Sequence, residues 1–370
     1  MDREKIRIAS VEWIRFFASI CVILFHFEAL YFGEHEYFGH LGVVVDFFFM
    51  LSGFLLMRSA MNKDELTSEK SALTESIEYV IGRAKKFYLP YLLAFAMVFI
   101  LTTIAAHMTD LGQIVSRLFH FKWEILLLQM AGFNPSPAFD VDYLVGSAWY
   151  LSSMLLAMLP IYYLATRHRK TFTNFIAPLT ILFFYCYIMQ TYGTVDVGNE
   201  FAGFIMLGNL RGFAGLSAGC LCYAFYDRVR DATWSPATAF GLGTLEIACL
   251  LALPGLILLR SFISEADVLF WVLIFALLIV LCFVGRTPIA RFLNSHFTRL
   301  GTYLGRLSLY LYLFHWFFVL LFVIYFPAMS YGLGALLYCA SVILFSMVAM
   351  WFFDLLWTRS HPQRLPEKVC

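Results

Sequence analysis

Two histidines, four arginines, a lysine and an aspartate stand in or beside long apolar runs of this chain. A charge held in hydrocarbon costs about 2.5–3.5 kcal/mol on insertion scales, so each is by default a functional candidate. His26 and His315 bring the one side chain that exchanges a proton near neutral pH, which suits a general base for a hydroxyl. Arg15 and His26 are 11 residues apart. At about 100° per residue they share one helix face, roughly 16 Å apart along the axis. Asp46, among Val and Phe, needs a partner such as His26 or an arginine. Arg83 and Lys86 are three apart and face one way at the start of an apolar run, an arrangement that suits phosphate. Arg211 lies in a Gly-rich stretch, GNLRGFAGLSAGCL, which suits a cavity wall better than lipid contact. Arg306 precedes His315 by nine residues. Singly, each has a plainer reading: a snorkelling anchor, a packed histidine, an ordinary interfacial cation, or, at Ser52-Gly53, a close helix approach. Together they predict one intramembrane cavity with cations at one end and an imidazole at mid-depth. Such a cavity fits an anionic ligand and proton abstraction, and does not by itself name a reaction.

The elements that must position these groups follow from composition. The chain has 370 residues, 61% hydrophobic and 14% charged, with mean hydropathy +0.77. Soluble domains run at about 45–50% apolar and about 25% charged. That excess excludes a soluble enzyme, a disordered chain and a nucleic-acid-binding module, and the net charge of +1 implies no polyanionic partner. Spanning helices need about 20 apolar residues. Ten segments qualify: 11–32, 40–58, 87–107, 143–165, 172–190, 204–226, 236–259, 267–285, 303–327 and 331–354. The stretch 112–132 carries Arg117, Lys122 and Glu124 and reads as an interfacial helix or lid. Of the 26 Lys and Arg, twenty fall on the side of the N-terminus, three on the other side and three (Arg15, Arg211, Arg306) within spans. This bias predicts an all-α polytopic protein, one domain over 1–370, with both termini cytoplasmic. The basic N-terminus and following apolar run lack a small-x-small cleavage site, so they are read as a first span. The eight Cys form no CxxC pair and read as small apolar residues. His35 and His40, with Glu34 and Glu36, lack metal-ligand spacing, so no metal is assigned.

Taken in order, these motifs resemble the acyltransferase family 3 of integral membrane acyltransferases. Arg15 and His26 enclose ten residues of the first span. Gly42-VVVDFFFMLSGF is similar to the second-span G-V-x-x-F-F-x-L-S-G-F pattern. Arg83-AK-Lys86 stands as the basic pair before FYLPY, Arg211-GFAGLSAG as the arginine-and-glycine helix, and Ser308-LYLYLFHW as the late S-x-x-x-Y-L-x-H-W pattern. The matches run from residue 10 to about 320. Two positions depart from the pattern. Met154 stands where saccharide-modifying members carry Glu in W-x-L-x-x-E, which here begins at Trp149, and Lys86 stands where Arg is usual.

The resemblance implies transfer of an acyl group, usually acetyl from acetyl-CoA, to a hydroxyl of an extracytoplasmic or lipid-linked glycan in the bacterial cytoplasmic membrane. It implies His26 as the base or acyl carrier, with Arg15 and Asp46 beside it and Asp46 orienting its ring. Arg83, Lys86 and Arg211 would bind the acyl-CoA donor, and His315, Arg306 and Trp149 the substrate or developing oxyanion. Membrane lipid is an obligatory partner, and a homo-oligomer is allowed. The rival reading is a transporter of a glycan or anionic lipid-linked sugar; it would show repeated halves and interrupted helices, and neither is evident in the sequence.

Overall fold

The computed structural model describes residues 8–33, 36–62, 71–127, 143–264 and 267–360. The chain begins with α1 (Ala9–Phe27), which continues through a π-turn, Glu28–Phe32, to Gly33 in the left-handed region, and then α2 (Val44–Met61). Next come α3 (Ala72–Ala84), α4 (Tyr88–Ala105) and two short helices, α5 (Leu111–His120) and α6 (Lys122–Leu127). Then α7 (Trp149–Arg167) leads into α8 (Arg169–Thr171), which runs through a second π-turn into α9 (Ala177–Tyr192). A two-residue hairpin, β1 (Phe201–Ala202) with β2 (Ile205–Met206), precedes α10 (Leu207–Val229) and α11 (Pro236–Leu258). The chain ends with α12 (Phe270–Val284), α13 (Pro288–His296), α14 (Thr298–Tyr325) and α15 (Tyr331–Ser360).

Local chemistry sets many of these ends. Ser71, Asp110, Ser235 and Thr287 accept from the backbone N–H three residues on and cap α3, α5, α11 and α13. Gly193 and Gly285, at φ 73° and 66°, stop α9 and α12.

Among the described residues, eight helices are long and apolar enough to cross a membrane, and α12 with α13, bent by 59°, makes a ninth candidate. The tenth expected segment is α10. It falls outside that set because Asn209 and Arg211 stand among several glycines, which lowers its mean hydropathy. It is nonetheless long enough, at about 1.5 Å per residue, to cross the hydrocarbon. Its small residues suit the centre of the molecule. α10 packs against α2, α7, α9 and α12, and is buried along most of its length. A Cβ on Gly53 would lie 2.0 Å from the Leu216 carbonyl, and one on Gly219 would lie 1.9 Å from the Met50 carbonyl. The α2–α10 crossing is therefore a reciprocal glycine contact, the way bilayer helices gain van der Waals packing without a hydrophobic drive. Cys220 Sγ donates to the Gly53 carbonyl at 3.3 Å across the same seam.

The 112–132 stretch forms α5 and α6 where described, and its residues 128–132 lie outside the described residues. Glu124 on α6 accepts from the consecutive backbone N–H groups of Leu144 and Val145 at 2.7 and 2.8 Å, which anchors the chain as it re-enters the bundle.

Gly219→Ala forces α2 and α10 apart, and overpacking of this kind costs about 1–3 kcal/mol. Thermal unfolding in detergent should show a lowered Tm for Gly219→Ala. Gly241→Ala on α11, where a Cβ meets nothing within 4 Å, should unfold like the parent. Equal Tm values for the two variants would refute the glycine seam.

Candidate active site

The late span brings the second histidine to the first. α1 and α14 pack along their length, and the His26 and His315 rings lie with centroids 4.9 Å apart. Their hydrogen bonds settle how each ring is protonated. His26 Nδ1 lies 3.0 Å from the Val22 carbonyl, one helical turn back. His315 Nδ1 lies 2.6 Å from the Tyr312 carbonyl. A carbonyl only accepts, so Nδ1 carries a proton in both rings. His315 is fully buried, and its Nε2 has no hydrogen-bond partner among the described residues. His26 is only partly buried.

Aromatic residues wall the pair. The Trp316 ring is 5.5 Å from His26 and donates its indole N–H to the Leu144 carbonyl at 3.1 Å. Tyr312 donates its hydroxyl to the Ser147 carbonyl. Gly146 allows this approach, since a Cβ there would stand 2.5 Å from Trp316. Tyr150 packs beside Tyr312, with centroids 5.6 Å apart. Both Arg15 and Arg83 lie within electrostatic reach of Tyr150. Arg15 pairs with Glu12 at 2.6 Å. The Arg83 guanidinium bonds the Tyr79 hydroxyl at 2.9 Å and lies over that ring. Lys86 is exposed in the turn between α3 and α4. The expected cations thus collect toward the end of α1 opposite His26.

Four assignments change. All five N–H bonds of Arg211 are used inside the protein. Nε and Nη2 donate to Asp46 at 3.0 and 2.8 Å, and Nη2 also to the Gly42 carbonyl at 2.7 Å. Nη1 donates to Asp196 at 3.1 Å and to the Val197 carbonyl at 3.2 Å. Arg211 is therefore a tie between elements, with no donor left for a CoA phosphate. Asp46 accepts from Arg211 and, at 2.7 Å, from the Tyr185 hydroxyl, so the Val22 carbonyl takes the part expected of Asp46 in orienting His26. Trp149 belongs to this tie as well: its ring lies under the Arg211 guanidinium, against Gly198 and Gly208. Arg306 pairs with Asp354 on α15 and stands away from the histidine pair. Met154 accepts weakly from the Ser52 and Tyr150 hydroxyls, at 3.4 and 3.6 Å.

Sequence reading assigns no role to Tyr312, Trp316, Tyr185 or Asp196. The first two lie inside the Ser308–Trp316 motif, so their closeness to His315 was available as a signal. Asp196 and Tyr185 become legible only once the partners of Arg211 are known.

On the face where α1 ends and α2 begins, a cavity of about 440 Å³ is lined by Glu36, Tyr37, His40, Thr194, Asp196 and Arg260, among others. Arg260 lies over the Tyr37 ring, 4.3 Å from its centroid, and donates to the Glu36 carbonyl at 2.6 Å. A hydrogen bond to Glu36 pushes the Tyr37 phenol up from its ordinary value, so it stays protonated.

The sequence model of acyltransferase family 3, described as an acyltransferase domain, matches residues 8–351. The chain belongs to this family. No curated protein and no solved structure gives a match. Membership makes the protein a polytopic membrane acyltransferase.

Removing Arg211 alone strands the Asp46 carboxylate, and breaking a buried pair costs about 3–5 kcal/mol. Arg211→Met should sharply lower the Tm and the yield of folded protein in detergent, and Arg211→Met with Asp46→Leu should recover much of the loss. A double variant no more stable than the single would show that the pair is not the tie described.

Proposed function

We propose that the protein moves an acetyl group from cytosolic acetyl-CoA to a hydroxyl of an extracytoplasmic or lipid-linked glycan, in the cytoplasmic membrane with both termini inside. The observation that carries this reading is the pair of imidazoles with ring centroids 4.9 Å apart, whose Nδ1 protons are committed to backbone carbonyls, so that Nε2 is the atom of each ring suited to proton transfer. His26, the more accessible ring, takes the acceptor hydroxyl proton on Nε2. The alkoxide oxygen attacks the thioester carbonyl, the C–S bond breaks, and the CoA thiolate leaves and is protonated. His315 holds the neighbouring ring in place and shares the proton.

The Arg15, Arg83 and Lys86 end supports the donor side. Arg83 has only a neutral hydroxyl as its described hydrogen-bond partner, so its charge remains for phosphate. The 440 Å³ cavity supports the acceptor side, because its hydroxyls, carboxylates and aromatic face match a sugar's polar edges and C–H face. The aromatic wall excludes water, which would otherwise consume the thioester.

Purified protein in nanodiscs should bind acetyl-CoA, and wild type should release free CoA in the presence of acceptor-containing membranes. His26→Ala should bind the donor normally while CoA release falls by at least about 10²-fold, the lower end for loss of a general base. Arg83→Gln should instead weaken donor binding. Wild-type turnover in folded His26→Ala would sink the base assignment, and donor binding unaffected by Arg83→Gln would sink the phosphate role.

A further inference from the structure

A second cavity, of about 300 Å³, lies against the first half of α1. It is lined by Trp13, Ile14 and Phe17 of α1, Glu246 and Leu250 of α11, Cys282 of α12, and Leu293 of α13 with Phe297 just beyond it. Its walls are almost wholly apolar, and it sits at the lower end of the range for small-molecule sites, about 300–1,000 Å³. It opens to the membrane: Phe17 is 53% exposed at its mouth. From Ser10 to Phe17 it follows seven residues of α1, about 10 Å at 1.5 Å per residue.

One end of the cavity is polar. The Trp13 indole N–H is buried and has no acceptor among the described residues, although its ring is held firmly, stacked on Phe17 at 5.9 Å and edge-on to Phe297 at 6.3 Å. A buried N–H left without a partner is costly, and more so in a bilayer. Ser10 Oγ, 2% exposed as a residue, faces the Cys282 thiol without a hydrogen bond of ordinary geometry. Glu246, 1% exposed, accepts from the Thr287 hydroxyl and from the Cys282 thiol at 3.4 Å. Thr287 also caps α13 at 3.2 Å, so this carboxylate fixes the 59° bend that turns α13 over the cavity. The polar end therefore offers hydrogen-bond donors from α1, and they stand at the start of that span, at the depth where the ester carbonyls of lipids lie. Exposed Arg291 and Arg299 flank the two residues that roof the cavity, Leu293 and Phe297.

We infer that this cavity holds one acyl chain of an anionic phospholipid, with an ester carbonyl accepting from Trp13 Nε1 and the phosphate beside Arg291 and Arg299. An alkyl chain fills the apolar length, the ester satisfies the orphan indole, and the arginines match the phosphate charge. The site is independent of the acyl-transfer chemistry, and it lies against α1, the helix that carries Arg15 and His26. A lipid there wedges α1 against α11 and α13.

Native mass spectrometry of the full chain, released from detergent in the presence of phosphatidylglycerol, tests this. Wild type should retain one phosphatidylglycerol at activation energies that strip the others, and should prefer it to phosphatidylcholine. Leu250→Trp, which fills the cavity, should lose that tightly held lipid, and the gentler Leu250→Phe should weaken it. Trp13→Phe keeps the ring and removes the N–H, and should lower retention several-fold. Thermal unfolding confirms that each variant is folded. Three outcomes would overturn the inference: no lipid retained by wild type, equal retention by wild type, Leu250→Phe and Trp13→Phe, or a wild-type dimer that Leu250→Trp dissociates, which would give the cavity to a second copy.

Discussion

A guanidinium inside a membrane protein must find an acceptor for every N–H, because hydrocarbon supplies none. Arg211 solves this with five bonds, and the solution dictates much of the architecture. Two acceptor atoms are backbone carbonyls, Gly42 just before α2 and Val197 in the loop before α10. Two acceptors are carboxylates, Asp46 on α2 and Asp196 in that loop. Asp46 is shared with Tyr185 on α9. One side chain thus fixes α2, α9, α10 and the intervening loop to each other, with Arg211 and Asp46 both at 0% exposure. Lysine could not replace it: a point charge with three donors cannot make five bonds to four acceptors in a planar fork. The tie also explains the glycines. Bringing α10 within reach of Asp46 puts its backbone against that of α2, and Gly53 and Gly219 make that distance attainable.

The tie and the histidine pair divide the work. Arg211, Asp46, Tyr185 and Trp149 form a closed polar network whose hydrogen-bond capacity is spent inside the protein, which suits a frame. The imidazoles are the opposite. Their Nδ1 protons are spent on carbonyls one turn away, which is inexpensive in a helix, and the buried Nε2 of His315 has no hydrogen-bond partner among the described residues. Within apolar walls a lone pair without a donor is uncomfortable, so the arrangement is suited to a substrate hydroxyl that completes the hydrogen bond on arrival. The Val22 carbonyl serves His26 in the way a carboxylate serves a triad histidine, fixing the tautomer without adding a negative charge to a membrane interior.

The chain's helical spans were legible because apolar runs of about 20 residues have few alternatives, and the positive charges between them follow a simple rule. The helix α10 was legible by position but not by hydropathy alone, since its apolarity is replaced by smallness. The site was partly legible. His26, His315, Arg15 and Arg83 carry intrinsic chemistry at helical spacing, and their convergence could be expected. The partner of Asp46 was narrowed to His26 or an arginine, and only the three-dimensional arrangement chooses Arg211 over His26. Arg306 had no signal separating it from the site, because its ion pair with Asp354 joins residues 48 apart in sequence. Glu246 shows the same limit: a lone carboxylate in an apolar run indicates a partner without naming Thr287, which follows a helix break.

Met154 carries a further consequence for the donor end. Many saccharide-modifying relatives are expected to have a glutamate at this point, and here the position is buried beside Ser52 and Tyr150. A carboxylate there would stand next to a tyrosine within electrostatic reach of Arg15 and Arg83, and would compete for their charge. A thioether accepts weakly and neutralises nothing. Arg15 then keeps Glu12 as its counter-ion in a part-buried pair, and Arg83 keeps the Tyr79 hydroxyl and ring. With Met154 in place of a carboxylate, the surroundings of Arg15 and Arg83 carry one negative charge fewer; under the proposed function this favours an anionic donor there and leaves recognition of the acceptor to the outer cavity around Asp196.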